Sequence, residues 1–139
     1  MHQVLVVEDE PDIRHVLRVT LEANGYRVIE AATAGRAEIE ARSHKPDLLL
    51  VDLGLPDGDG LNVIRKVREF SPVPVIVLSA RTLEQSKVDA LDAGADDFVT
   101  KPFGARELLA RIRAAVRRSR RGERPGAGRV IGQCRVDLA

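Results

Sequence analysis

Cysteine and aromatic residues are scarce in this chain of 139 residues. The single cysteine, Cys134, excludes an internal disulfide and a metal cage built from thiolates. Because aromatic residues make up 3% of the sequence and tryptophan is absent, a cofactor held by aromatic stacking is disfavoured. No apolar run reaches the length of a membrane span, and the N-terminus turns acidic too early for a signal peptide. We therefore expect a cytoplasmic protein with no membrane contact.

Charge is distributed unevenly along the chain. Residues 1–116 contain 15 Lys and Arg against 19 Asp and Glu, whereas residues 117–129 contain six Arg and one Glu. An acidic body followed by a basic segment indicates two functional parts. The basic segment, RRSRRGERPGAGR, has the composition of a linker, and RVIGQCRVDLA after it predicts one strand. We therefore assign residues 1–120 to one domain and residues 121–139 to a linker and the first strand of a truncated second domain.

Strand and helix signals alternate through the first 120 residues. The predicted strands cover residues 4–7, 27–31, 48–51, 75–78 and 97–100. Three of them are continuous apolar runs, which are typical of strands buried on both faces. The helical patterns begin near Pro11, Thr33, Asp59, Glu84 and Ala105. This alternation predicts an α/β fold, a doubly wound sheet of five parallel strands with helices on both faces.

Chemically active side chains follow four of the predicted strands. In an open parallel sheet, ligands bind beyond the carboxyl ends of the strands. Three carboxylates, one hydroxyl and one ammonium occupy these positions, on Glu8, Asp9, Asp52, Ser79 and Lys101. We therefore expect the five side chains to meet at one edge of the sheet, although they are far apart in sequence.

These five residues suggest phosphoryl chemistry. Clustered carboxylates repel one another unless a cation joins them, and hard oxygen ligands suit magnesium. Beside such a metal, Asp52 is a candidate nucleophile, because carboxylates form aspartyl phosphates. Lys101 would place a positive charge near the phosphoryl oxygens, and Ser79 would offer a hydroxyl donor. Phosphoryl transfer depends mainly on positioning and charge neutralisation, and this set of residues offers both.

Four stretches of the sequence make it resemble the receiver domain of two-component response regulators over residues 2–120. They are, in chain order, VLVVEDE, PDLLLVDLGLPDGDG, PVIVLSA and GADDFVTKPF. The resemblance implies a flavodoxin-like fold with strand order 2-1-3-4-5. It also implies a phosphoacceptor switch rather than an enzyme, which takes its phosphoryl group from a sensor histidine kinase.

The resemblance further assigns roles to individual residues. Asp52 is the expected phosphoacceptor, and Lys101 is expected to pair with the phosphate. Mg²⁺ or Mn²⁺ is expected to bind Asp9 and Asp52 directly, Glu8 through water, and the carbonyl of Gly54. The expected switch residues are Ser79 and Phe98; Phe98 stands where the family commonly has Tyr. The Lys101–Pro102 peptide bond is expected to be cis.

The remainder of the chain resembles the winged-helix DNA-binding (OmpR/PhoB) subfamily. Its receivers form homodimers through the fourth helix, fifth strand and fifth helix, and DNA binds to a C-terminal domain that this chain lacks. The matching charge pairs are Lys87 with Glu107, Asp97 with Arg111, and Asp96 with Arg118. The stretches LGLPDGDG and VPVIVLSAR are similar to regulators of the KdpE type, which control potassium uptake.

Three other functions are weighed against this interpretation. A phosphatase of the haloacid dehalogenase type shares the strand-end aspartate and the metal, but it needs a second Asp where this chain has Gly54. A nucleotide- or flavin-binding domain would need a glycine-rich phosphate loop after the first strand, and this sequence has no such loop there. The third alternative is a receiver that no longer takes phosphate and serves only in dimerisation. The complete set of five site residues argues against it. Asp57 and Asp59, in the turn PDGDG, are interpreted as structural residues.

Overall fold

The structure is a computed structural model that describes residues 2–80 and 84–120. Strands and helices alternate as the sequence predicts, and the linker and strand predicted for 121–139 lie outside the described residues. The elements are β1 (Gln3–Val7), α1 (Pro11–Ala23), β2 (Arg27–Ala31), α2 (Ala34–His44), β3 (Leu48–Asp52), α3 (Gly60–Arg68), β4 (Val75–Ser79), α4 (Glu84–Ala93), β5 (Asp97–Thr100) and α5 (Ala105–Arg120).

The five strands form one parallel sheet in the order β2-β1-β3-β4-β5. The predicted doubly wound fold and its strand order are therefore confirmed. Among the described residues, none of the helices combines the length and apolar character that a bilayer crossing requires.

Two separate hydrophobic cores cover the two faces of the sheet. Successive side chains of a strand point to opposite faces, so β1 sends Val4 and Val6 into one core and Leu5 and Val7 into the other. The first core is completed by α1 and α5, and the second by α2, α3 and α4. Burial on both sides explains why these strands are continuous apolar runs in the sequence.

Two of the residues near which the sequence predicts helices to begin cap those helices in the structure. Thr33 accepts a hydrogen bond from the backbone N–H of Arg36 at the start of α2, at 3.1 Å. Asp59 accepts one from Leu61 at the start of α3, at 3.0 Å. Such caps satisfy N–H groups that have no partner within the first turn of a helix.

Some apolar residues that mark the helical patterns are exposed in the structure. Val88 and Leu91 of α4 are 40% and 50% exposed, and the residue that α4 buries is Ala90. In α1, Val16 is exposed, whereas Leu17 and Leu21 are buried. The spacing therefore identifies the helices correctly but not the side that packs against the sheet.

Arg68, the last residue of α3, braces two loops at the end of the sheet opposite the predicted site. Its guanidinium donates to the carbonyls of Gly94 and Val73 and to the carboxylate of Asp96, which lies 3.2 Å away. The Asp96 side chain is only 5% exposed, and it also accepts a hydrogen bond from the backbone of Val75. These contacts, called the Arg68 brace below, therefore pair Arg68 with a carboxylate that water barely reaches.

Candidate phosphoacceptor and metal site

The register of the parallel strands gathers the predicted site residues at one edge of the sheet. Val7 is paired with Val51 and Ser79 with Thr100, so the strands end at similar heights. Glu8 and Asp9 follow β1, Asp52 ends β3, and Lys101 follows β5. The expected meeting of distant residues at the strand ends is therefore what the fold produces.

Three carboxylates form the acidic part of the site. Glu8, Asp9 and Asp52 each offer an oxygen, and these oxygens lie within 4.8 Å of one another. Glu8 is buried, whereas Asp9 and Asp52 are partly exposed. The site is therefore open to solvent on the side of the two aspartates.

Lys101 provides the positive charge of the site. Its Nζ lies 2.9 Å from Glu8 Oε1 and 3.6 Å from Asp52 Oδ1. The Lys101–Pro102 bond that follows is cis, as expected. One ammonium thus contacts two carboxylates that come from different strands.

The charges in the site shift the pKa values of their neighbours. Burial raises the pKa of Glu8 and the charge of Asp52 adds to this, although the hydrogen bond from Lys101 opposes it. Burial works to lower the pKa of Lys101, but the hydrogen bond to Glu8 and the charge of Asp52 outweigh it, so that pKa is raised. Lys101 therefore keeps its positive charge at neutral pH.

The donor set fits a hard divalent cation. Three carboxylates face one ammonium, so the site carries excess negative charge once the carboxylates are ionised. Carboxylate oxygens with room for water are the ligands that Mg²⁺ prefers. The backbone of Gly54 is close by, with its nitrogen 3.4 Å from Asp52 Oδ1.

A glycine at position 60 allows α3 to begin directly beside Asp52. A Cβ on Gly60 would lie 2.4 Å from the Asp52 carbonyl oxygen and 2.9 Å from the Cα of Leu53. The Gly60 N–H also donates to the Leu53 carbonyl at 2.9 Å. The sequence interpretation overlooked this residue, although a glycine right after the capping Asp59 was an available signal.

Arg14 of α1 supports the loop that carries the acidic pair. Its Nη1 donates to the backbone carbonyl of Glu8 at 2.9 Å, and its Nε donates to Glu30 of β2 at 2.8 Å. Arg18 also contacts Glu30. Sequence reasoning missed Arg14, because no local pattern links a helix arginine to a strand-end carbonyl.

Asp57 and Asp59 have structural contacts, in line with their interpretation from the sequence. They lie in a hairpin, defined here as residues 54–59, in which Gly54–Leu55 pairs antiparallel with Gly58–Asp59. Asp57 accepts hydrogen bonds from the backbone N–H groups of Ala34 and Gly35, which lower the pKa of its carboxyl group. No local pattern indicated this contact with α2.

The two predicted switch residues lie on neighbouring strands. Ser79 is buried at the end of β4, and Phe98 is half-buried on β5, where it is paired with Val77. The Nζ of Lys87, on α4, lies 5.9 Å from the centre of the Phe98 ring, within the range of a cation–π contact. Phe98 thus connects the sheet to the exposed surface of α4.

Two predicted intermolecular charge pairs involve residues that already have partners within the chain. Arg111 Nη1 lies 2.9 Å from the Asp97 carboxylate and its Nη2 lies 3.1 Å from Glu107. Asp96 contacts Arg68 of the same chain. In a single chain, the charges of this face are therefore engaged locally.

Comparison with known proteins agrees with this fold. The chain matches the response regulator receiver domain over residues 4–113, and it belongs to that family. It is 54% identical over 139 residues to the KDP operon transcriptional regulatory protein KdpE of Escherichia coli strain K12. That alignment covers 100% of this chain and 62% of the relative, so the chain spans less than two thirds of that protein. The similarity to regulators of the KdpE type is confirmed.

Solved structures of receiver domains have the same fold. A CheY-like receiver from Methanospirillum hungatei matches with a TM-score of 0.84 at 29% identity, covering 87% of this chain and 98% of the other. The receiver of the sensor histidine kinase PA1611 from Pseudomonas aeruginosa matches with a TM-score of 0.77 at 32% identity, covering 83% and 97%. The latter structure has a magnesium ion coordinated in its active site cleft.

Proposed function

We propose that Asp52 accepts a phosphoryl group from a phosphohistidine of a sensor kinase, and that this controls dimerisation and transcription. The observation that carries the proposal is the position of Asp52, whose partly exposed carboxylate lies beside the acidic pair Glu8 and Asp9 and 3.6 Å from the ammonium of Lys101. The name of the Escherichia coli relative, a transcriptional regulatory protein, supports the regulatory part. DNA binding belongs to a C-terminal domain beyond this chain.

Each residue of the site has a separate role in the phosphoryl transfer. An oxygen of Asp52 forms the bond to phosphorus while the phosphorus–nitrogen bond of phosphohistidine breaks, and the imidazole nitrogen keeps the electron pair and takes up a proton. Lys101 balances the charge of the phosphoryl oxygens, and the Ser79 hydroxyl donates to one of them. Because Lys101 contacts Glu8 at 2.9 Å, its ammonium is already held beside the acceptor.

The same site would hold the metal in this proposal. Asp9, Asp52 and the Gly54 carbonyl would bind Mg²⁺ or Mn²⁺, and Glu8 would act through water. When bound, the ion supplies charge neutralisation to the phosphoryl oxygens. The magnesium in the PA1611 receiver supports this choice of metal. Gly54 has no side chain to serve as acid or base, which disfavours a phosphatase of the haloacid dehalogenase type.

Metal removal tests the phosphoryl transfer. With magnesium and acetyl phosphate, intact-mass measurement is expected to find one phosphoryl adduct on each chain. With EDTA in place of magnesium, the rate of labelling is expected to fall about a hundredfold, because metal-borne charge stabilisation is worth several kcal/mol. An equal rate in EDTA would contradict the proposal, and restoring labelling with excess magnesium is the control.

Phosphorylation is proposed to act on the face formed by α4, β5 and α5. Ser79 moves onto the phosphoryl group and Phe98 also moves, and the movement of Phe98 changes the surroundings of Lys87, which lies over its ring. Lys87, Asp97 and Arg111 then exchange their contacts within the chain for contacts with a second copy. The exposed Val88 and Leu91 on the same helix supply apolar area for that interface.

A charge reversal at Lys87 tests this face. Sedimentation with beryllofluoride as phosphate mimic is expected to find a wild-type dimer, and Lys87→Glu is expected to weaken association at least about tenfold, because like charges then meet Glu107 twice in a twofold dimer. The double variant Lys87→Glu with Glu107→Lys should recover association, and Lys66→Glu on α3 is the matched control. An unchanged association constant in Lys87→Glu would remove the proposed face.

A further inference from the structure

The carboxylate of Asp57 connects the loop after Asp52 to the first turn of α2. One oxygen accepts a hydrogen bond from Ala34 N at 2.7 Å, and the other accepts one from Gly35 N at 3.1 Å. The bonds join segments that are 23 and 22 residues apart in sequence. They are tertiary contacts, unlike an ordinary helix cap, which comes from the residue just before the helix.

This contact holds the hairpin at its turn. Asp57 lies between the two short paired segments, and Gly54 is paired with Asp59 at their base. On the side of α3, the Gly60 N–H donates to the carbonyl of Leu53. The backbone around Gly54 is therefore fixed from two directions, by α3 at the base of the hairpin and by α2 at its turn.

The first turn of α2 is well suited to hold a carboxylate. Its free N–H groups and the positive end of the helix dipole both favour an anion. Thr33 already caps α2 through the N–H of Arg36, so the helix has a local cap without Asp57. What Asp57 adds is the attachment of a second segment, and that segment carries Gly54.

We propose that Asp57 is a positioning residue for the metal site, which fixes the hairpin to α2 and thereby holds the Gly54 carbonyl where a divalent cation binds. This inference rests on the proposed function, in which that carbonyl is a metal ligand. Asp57 itself is exposed, and the hydrogen bonds that its side chain accepts come from the backbone of α2. It acts on the site through the backbone of the loop.

The test measures magnesium affinity and thermal stability in the same variants. Backbone amide shifts are followed in a titration of the wild-type chain, Asp57→Ala and Thr33→Ala with magnesium chloride. Asp57→Ala is expected to raise the Kd for Mg²⁺ about tenfold, the usual cost of losing a group that orients a ligand. Thr33→Ala is the matched control, because it removes a cap of the same helix but leaves the hairpin attached. It should lower the Tm without changing the Kd.

A second variant breaks the same contact from the side of α2. Ala34→Pro removes the Ala34 N–H at the first helical position, where proline is tolerated. The extended backbone of Thr33, with φ −138° and ψ 162°, also suits a residue before proline. Its Kd should rise less than that of Asp57→Ala, and the double variant should bind magnesium no more weakly than Asp57→Ala alone.

The outcomes separate this inference from the function on which it rests. If the wild type binds magnesium and Asp57→Ala binds it equally well while its Tm falls as in Thr33→Ala, Asp57 is only a cap of α2. If the wild type shows no magnesium-dependent shifts near Asp52, the proposed metal site itself is wrong, and the role of Asp57 is lost with it. A raised Kd in Asp57→Ala and Ala34→Pro, but not in Thr33→Ala, supports the proposal.

Discussion

Asp52→Asn is expected to form no phosphoryl adduct with magnesium and acetyl phosphate under conditions in which the wild type is labelled once per chain. The amide has nearly the shape of the carboxylate, so the fold is kept, but it has no anionic oxygen to attack phosphorus. It also removes one of the three carboxylates around the proposed metal and one of the two that contact Lys101. Both losses act in the same direction, and intact mass gives an all-or-none result.

The choice of control follows from the neighbouring acids. Asp59→Asn keeps a side chain that can cap α3, since asparagine accepts the hydrogen bond from Leu61 as aspartate does. It should therefore be labelled like the wild type. Equal labelling of wild type and Asp52→Asn would move the acceptor elsewhere, and Asp57 and Asp59 would be the next residues to test. Circular dichroism on each variant checks that the fold is intact.

Arg68→Met is expected to lower the free energy of unfolding by about 3–5 kcal/mol, the usual cost of removing one partner from a buried ion pair. The substitution leaves the carboxylate of Asp96 only 5% exposed and without its arginine. It also removes donors to the carbonyls of Gly94 and Val73, which join two loops. A loss of this size is a large part of the stability of a small domain.

Urea denaturation of three further variants, Arg65→Met, Asp96→Asn and the double variant, isolates the effect of the buried charge. Arg65→Met changes an exposed arginine of the same helix and is expected to cost less than about 0.5 kcal/mol. The double variant Arg68→Met with Asp96→Asn should be less destabilised than the two single losses combined, because asparagine carries no charge that needs a partner. If Arg68→Met cost no more than Arg65→Met, the brace would have no energetic role.

Local patterns were sufficient to predict the elements and the edge where the site lies. The apolar runs around Leu5, Leu49 and Val77 identify strands buried on both faces, and helical spacing between them implies parallel pairing. Parallel strands end at one edge of the sheet, so the residues after them could be placed together before any contact was known. The position of Lys101 beside Glu8, 93 residues away in sequence, follows from topology alone.

The contacts that hold the site in place could not be predicted in the same way. Asp57 reaches α2, and Arg14 reaches the carbonyl of Glu8, through side chains whose direction depends on how helices pack on the sheet. Gly60 is required because a Cβ at this position would lie 2.4 Å from the carbonyl oxygen of Asp52, which belongs to another element. The exposure of Leu91 was also unpredictable, because spacing gives the period of a helix but not which side meets the core.

β5 is an edge strand of the sheet and lies between the proposed acceptor site and the proposed dimer face. Among the strands of the described residues, β5 pairs with β4 alone, so a shift of β5 breaks one ladder rather than two. Lys101 follows its last residue, and Phe98 lies three positions earlier, a span of about 10 Å along a strand. Under the proposed function, the acceptor site and the dimer face are thus joined by one short segment, and a displacement of β5 reaches both.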